Sequence, residues 1–318
     1  MMRSAPLAAL LCAALLALQA DAAAAQGRAA AVKGPAPYQF AIIGHRFTDG
    51  GGDAQLEQAI AASDDGAVAF VVATGIKGER EPCSDELYTQ RRDLFAQARR
   101  PMIVAPAASD WSGCMNAAGS QLAVDRLNRM RELFYPDAES LGKRTLPLLR
   151  LSSSSQFRSY AENAHWIVGN VLYATMNLPS DNNHYRPEAG RNSEFEDRAV
   201  ANRFWLKRLF GTAQRKKLDA LVLFTEGNLK AHSDKPGLLS MLGSSDSRED
   251  GYAAARQQVV TLAQKFAGKV LLVDTAAPAG PAPAIAWRGN LGHVSVGSSV
   301  LRMRVAPGSE KMFLLQKP

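Results

Sequence analysis

Past its amino-terminal segment the chain has no apolar run approaching the ~20 residues that a membrane-spanning helix needs, so no span is expected in the mature protein. Aromatic residues are sparse at 7%, and no nucleic-acid-binding module is recognisable. The formal net charge is +7. Its basic residues, however, are spread over helical stretches, Arg91, Arg92, Arg99 and Arg100 in one and Lys207, Arg208, Arg215, Lys216 and Lys217 in another. They read as solvated basic faces, and a nucleic-acid partner is not expected. Histidine is scarce: His45, His165, His184, His232 and His293 are all there is, and no two of them stand at a metal-ligand spacing. There is no Gly-x-Ser-x-Gly elbow for serine hydrolysis. The run Gly50-Gly51-Gly52 lacks the following Lys-Ser/Thr pair of a P-loop, so a plain turn is the expectation there.

Cysteine is limited to Cys12, Cys83 and Cys114. Arg3, an apolar run from Ala5 to Leu18 and the small residues Ala20-Asp21-Ala22 have the order of a secretory signal, with cleavage expected between Ala23 and Gln26. Residues 1–25 are thus assigned to a signal peptide, 26–37 to an Ala/Gly/Pro-rich lead-in and 38–318 to a single folded domain, since no compositional break follows residue 37. A periplasmic or secreted location follows. A lipoprotein reading through Cys12 is disfavoured by the bulky Leu11 before it. In an oxidising compartment Cys83 and Cys114 are expected to form a disulfide, in preference to a redox pair or a metal site lacking nearby histidine.

The two cysteines bracket the most informative stretch. Val68 to Thr74 is a continuous apolar run stopped by Gly75, and Met102 to Ala105 is a second one between Pro101 and Pro106. Between them Leu87, Arg91, Leu94, Phe95 and Ala98 recur at helical spacing, with Ser84 or Asp85 as N-cap. Strand, crossover helix and strand make a βαβ unit, whose strand ends are the default place for a site. Further strands are read at Tyr38–Ile43, at a hairpin through Gly169-Asn170, at Leu218–Phe224, at Val270–Val273 and in three closing segments. Helices are read from Asp53, through Leu122–Phe134, from Glu194 to about Lys217 with Phe204 and Trp205 facing inward, and from Tyr252 to Phe266. Asp53 is read as the cap of the first of these helices. The expected fold class is α/β, two mixed sheets packed face to face with helices outside.

Five apolar strands end in polar turns, at Gly44-His45, Gly75-Ile76, Ala107 to Trp111, Thr225-Glu226 and Asp274-Thr275. Together with Ile76-Lys77, Pro82 to Asp85, Arg91 to Phe95, Trp111 to Cys114, Glu162-Asn163 with Trp166, Arg198 to Leu206 and the closing Asn290 to Phe313, this order resembles the calcineurin-like metallophosphoesterase family, in particular its exported bacterial branch. The resemblance covers nearly all of the chain after residue 37. It implies an αββα sandwich and a two-metal phosphoester hydrolase, with the ions ~3.5 to 4 Å apart, held by carboxylates, imidazoles and an asparagine at strand ends.

Every one of the five turns departs from that pattern. His45 and Phe47 stand where the family has aspartate and histidine, and Gly75 runs straight into Ile76-Lys77 without the bridging aspartate. Ser109 occupies the asparagine ligand's place, no histidine accompanies Thr225-Glu226, and the last motif is reduced to Asp274-Thr275-Ala276. The expectation is therefore a protein that has lost the dinuclear centre and binds rather than hydrolyses, with no metal or other cofactor. Its cleft candidates are His45, Lys77, Ser109, Asp110, Glu226 and Asp274, Lys77 being read as an attractor of an anionic small molecule; an envelope protein is the other partner considered. The alternative is a residual phosphoester hydrolase holding one ion through His45, Asp110, Glu226 and Asp274. The bland readings are that His45 is a loop hydrogen-bonding group and that Asp110 caps the next turn.

Overall fold

A computed structural model of the chain describes residues 36–49, 52–64, 67–186, 192–232 and 250–316. The expected signal peptide with Cys12, the lead-in up to residue 35, and the glycines Gly50 and Gly51 lie outside the described residues. Among those described there are twelve strands in two mixed sheets and five α-helices.

The five-stranded sheet has the order β12-β11-β1-β2-β3, built from β1 (Tyr38–Ile43), β2 (Val68–Thr74), β3 (Met102–Ala105), β11 (Val300–Val305) and β12 (Phe313–Gln316). Its first three strands are mutually parallel, and β11 closes antiparallel onto β1. The near-continuous apolar character of β1 and β2 follows from burial on both faces. Phe40, Ile42, Phe70 and Val72 point to the second sheet, while Ala41, Ile43, Val71 and Ala73 point to helices α1 (Asp53–Ser63), α2 (Asp85–Ala96) and α3 (Ala123–Phe134).

The seven-stranded sheet has the order β4-β5-β6-β7-β8-β10-β9: β4 (Leu149–Arg150), β5 (Ala164–Val168), β6 (Val171–Thr175), β7 (Ala220–Phe224), β8 (Lys269–Asp274), β9 (Ala286–Arg288) and β10 (Leu291–Ser295). Its inner face gives Trp166, Tyr173, Val222, Phe224, Leu271 and Val273 to the core shared with the first sheet. Aromatic rings dominate the seam: Phe70 lies 5.4 Å from Trp166 and 4.8 Å from Tyr173. The outer face packs Leu172, Leu221, Leu223 and Leu272 against α4 (Ser193–Arg215) and α5 (Ala253–Gln264). Helix, sheet, sheet and helix therefore succeed one another.

Several local readings are corrected. Asp53 does not cap α1; it is the first helical residue, and its carboxylate accepts from the buried Arg91 at 2.7 Å while Gly52 stands at the N-cap. Ser84 does cap α2, accepting from the Leu87 amide at 3.2 Å. Phe204 is 37% exposed rather than inward, leaving Trp205, Leu209 and Phe210 as the buried stripe of α4. The closing strands are divided between sheets: β10 runs parallel to β8, whereas β11 joins β1. The short edge strand β9 has no counterpart in the sequence reading.

Candidate functional site

The turns after β1, β2, β3, β7 and β8 meet where the ends of the two sheets adjoin, and a sixth turn joins them. Because β6 is parallel to β7, the segment after it, Met176 to Asp181, reaches the same edge. The resulting cleft has a volume of about 830 Å³. Its lining includes His45, Ser109, Ser180, Glu226, Tyr252 and Thr275, with the exposed side chains of Glu79, Lys230 and Asp250 at its mouth.

Asp110 is the organiser of the floor. It is fully buried; one carboxylate oxygen accepts the amides of Ile76 at 2.9 Å and Lys77 at 3.2 Å, and the other accepts the Ala107 amide at 2.7 Å. It thus caps its own turn and also clamps the turn after β2. Burial pushes its carboxyl upward, opposed by those amides and by His45 and Lys77 nearby. The backbone can approach this closely because Gly75 takes φ +78°; a Cβ there would stand 2.4 Å from His45 Cδ2.

Lys77 does not reach the cleft as an anion attractor. Its side chain is buried, with 1% of the residue exposed, and its ammonium donates to the carbonyls of Gly78 at 2.7 Å and Ser109 at 2.6 Å. Burial lowers its pKa, countered by the carboxylates of Asp110, Glu81 and Glu79. A strand-end lysine looks exposed in sequence; here two backbone carbonyls offer it a better set of partners than water.

His45 and Ser109 lie side by side, Nε2 to Oγ at 3.0 Å. The Ser109 hydroxyl is only 2.7 Å from the Lys77 carbonyl, which can only accept, so its single hydrogen goes there. His45 Nε2 must then carry the proton and donate to Ser109, with the same carbonyl at a longer 3.3 Å. A histidine that donates to the serine cannot act as its general base, and the pair is a hydrogen-bonded brace rather than a nucleophile.

Glu226 ties the two sheets together. One oxygen accepts the Ala108 amide at 2.6 Å and the Ser180 amide at 2.8 Å, and the other lies 3.0 Å from the Ser180 hydroxyl. Among the described residues no cation bonds to it. Desolvation, helped by the Asp110 carboxylate, outweighs the two amides and pushes its pKa up to about 8. Asp274 stands apart, paired with His293 at 2.5 Å and accepting the Ala276 amide at 3.0 Å.

Five of the six expected residues, His45, Lys77, Ser109, Asp110 and Glu226, are therefore brought into one bonded floor, and Asp274 is not. The two-metal centre implied by the resemblance does not fit these residues. Both oxygens of Asp110 and both of Glu226 are engaged by backbone or hydroxyl groups, Ile76 supplies no bridging carboxylate, and an ammonium already lies between the turns. Among the described residues no group of three or more histidine, cysteine or acidic side chains is placed to hold a metal ion.

Cys83 and Cys114 are joined in a disulfide with Cα atoms 5.9 Å apart, tying the loop after β2 to the loop after β3. This fits a chain exposed to an oxidising compartment. No described helix is long and apolar enough to cross a membrane. Ser180 and Tyr252 were not singled out from sequence, and Thr275 was read as part of a strand-end turn but not as a cleft residue. Ser180 could have been, had the parallel pairing of β6 with β7 been read, because strand-end loops on one edge share a site. Neither the protein-family models nor the curated proteins contain a match to this chain.

Proposed function

We propose that this is a non-catalytic ligand-binding protein of the cell envelope, periplasmic or secreted, on a metallophosphoesterase-like scaffold whose metal centre has been replaced by a bonded floor. The observation that carries this reading is the engagement of Asp110 and Glu226. Two carboxyl groups at the ends of two different sheets, where metal ligands would be needed, are used instead to hold backbone amides. The cleft's volume of about 830 Å³ lies within the range of small-molecule sites. The alternative of a single-metal hydrolase requires His45, Asp110, Glu226 and Asp274 to converge, and the separate pairing of Asp274 with His293 speaks against it.

The test is metal content by mass spectrometry together with hydrolysis of an aryl phosphate by the purified mature chain. The expected result is no stoichiometric transition metal and no turnover. Two equivalents of metal with a turnover that His45→Ala and Asp110→Ala abolish would sink the proposal.

A further inference from the structure

The hydroxyl groups of the cleft have a fixed polarity. Ser109 donates to the Lys77 carbonyl at 2.7 Å, Tyr252 to the Pro179 carbonyl at 2.5 Å, and Thr275 to the Glu226 carbonyl at 3.2 Å. A carbonyl oxygen has no hydrogen to give, so in all three cases the hydroxyl hydrogen points into the protein and the oxygen is left as an acceptor, that of Ser109 with one lone pair already taken by His45 Nε2 at 3.0 Å. Asn228 is mixed: its oxygen accepts the Lys230 amide at 2.6 Å, and its amide nitrogen, with two hydrogens, spends at most one on Ser295 Oγ at 3.4 Å.

An anion needs donors, and such a wall offers it lone pairs. Among the described residues the charges at the mouth do not reverse this, since the carboxylates of Glu79 and Asp250 face the ammonium of Lys230, and Asp250 is itself paired with Arg256. A cation would meet acceptors, but it would also meet the Lys77 ammonium directly under the floor, 2.6 Å from the Ser109 carbonyl. A neutral ligand rich in hydroxyl donors satisfies the acceptors without either repulsion.

We infer that the cleft binds a neutral polyhydroxylated ligand of saccharide type, recognised through the acceptor oxygens of Ser109, Tyr252 and Thr275. The inference rests on the reading of the protein as a binder and specifies its ligand. It also departs from the anionic ligand that Lys77 suggested in the sequence.

The mature chain is titrated calorimetrically with N-acetylglucosamine and its β-1,4-linked disaccharide, maltose, lactose and trehalose, and applied to a glycan array. Orthophosphate and spermidine are titrated in parallel. Binding of at least one neutral saccharide is expected, with an affinity that 0.5 M KCl leaves within twofold, because no ion pair is formed. Thr275→Val and Tyr252→Phe should each weaken it about fivefold, the effect of one hydrogen bond, with the folded content of both variants checked by circular dichroism. Binding of orthophosphate or spermidine at the cleft, or of no saccharide in either format, overturns the inference, as does saccharide binding indifferent to both substitutions. Phosphoester turnover would instead overturn the reading beneath it, so the two failures are distinguishable.

Discussion

Two glutamates, one in the floor of the cleft and one behind its wall, are buried in opposite ways. Glu226, on its floor, is held among the described residues by two amides and a hydroxyl, and its pKa rises to about 8. Glu194, at the start of α4, resists the same desolvation because His184 and Arg198 bond to it, and its pKa falls to about 2. Arg198 is fully buried, grips both Glu194 oxygens at 2.7 and 3.1 Å and bonds Asn183 through both its carbonyl and side-chain oxygens. That grip stabilises a costly backbone, since Asn182, Asn183 and His184 all have positive φ, and it sets Asn182 at the cleft wall. Behind the wall, then, rigidity comes from charges; in the floor it comes from neutral and backbone hydrogen bonds. The difference predicts which region fails first under which stress.

The largest effect is expected from removing the charge that holds the wall. Arg198→Ala leaves Glu194 with His184 but without the guanidinium, and Asn183 likewise without it, and loss of one member of a buried pair costs about 3–5 kcal/mol. Urea unfolding would measure it, and a loss under 1 kcal/mol would mean that water replaces the guanidinium and that the wall is not charge-held. Next in size is the covalent tie beside the floor. Replacing Cys83 and Cys114 with serine frees a loop closed at a sequence separation of 31, worth about 3 kcal/mol in the chain-entropy model. If reduced wild type and the double variant unfold at the same urea midpoint as oxidised wild type, the bridge contributes no stability. The acid limb should belong to Glu194: its folded pKa lies below the ordinary value, so its contribution is present above about pH 4.5 and is lost as pH falls toward 2. Glu194→Gln should flatten that limb in a pH series of unfolding midpoints.

The sandwich was legible in the sequence because a strand buried on both faces announces itself: Phe70 and Val72 serve one layer, Val71 and Ala73 the other, and the run has no polar break. The meeting of the strand ends was legible for the same reason. What each polar residue does there was not. The neutral form of Glu226, the inward ammonium of Lys77 and the hydroxyl polarity of Tyr252 all depend on partners distant in sequence, Tyr252 from Pro179 by 73 positions and Glu226 from Ala108 by 118. Pairings at that range follow from how the strands are ordered in the sheets, which local spacing does not encode. Asp53 shows the same limit, since its position reads as a cap until Arg91 arrives from the next helix.

The smallest expected effect bears most directly on the contrast between the two glutamates. Glu226 has a folded pKa above the ordinary carboxyl value, so its carboxyl stays protonated in the fold while the unfolded chain has already released the proton. Its contribution is therefore complete below about pH 4.5 and declines as pH rises toward 8, the reverse of Glu194. One proton gives a slope of at most about 1.4 kcal/mol per pH unit, or about 2 kcal/mol between pH 6 and 7.5. Glu226→Gln keeps the shape and the acceptor oxygen for the Ala108 and Ser180 amides but has no proton to lose. Its stability should be level across that interval while wild type declines, with the two closest at the acid end. A wild-type curve as level as that of the variant would place Glu226 in the charged state throughout, and the floor would then have to be counted with the wall as a region held by charge.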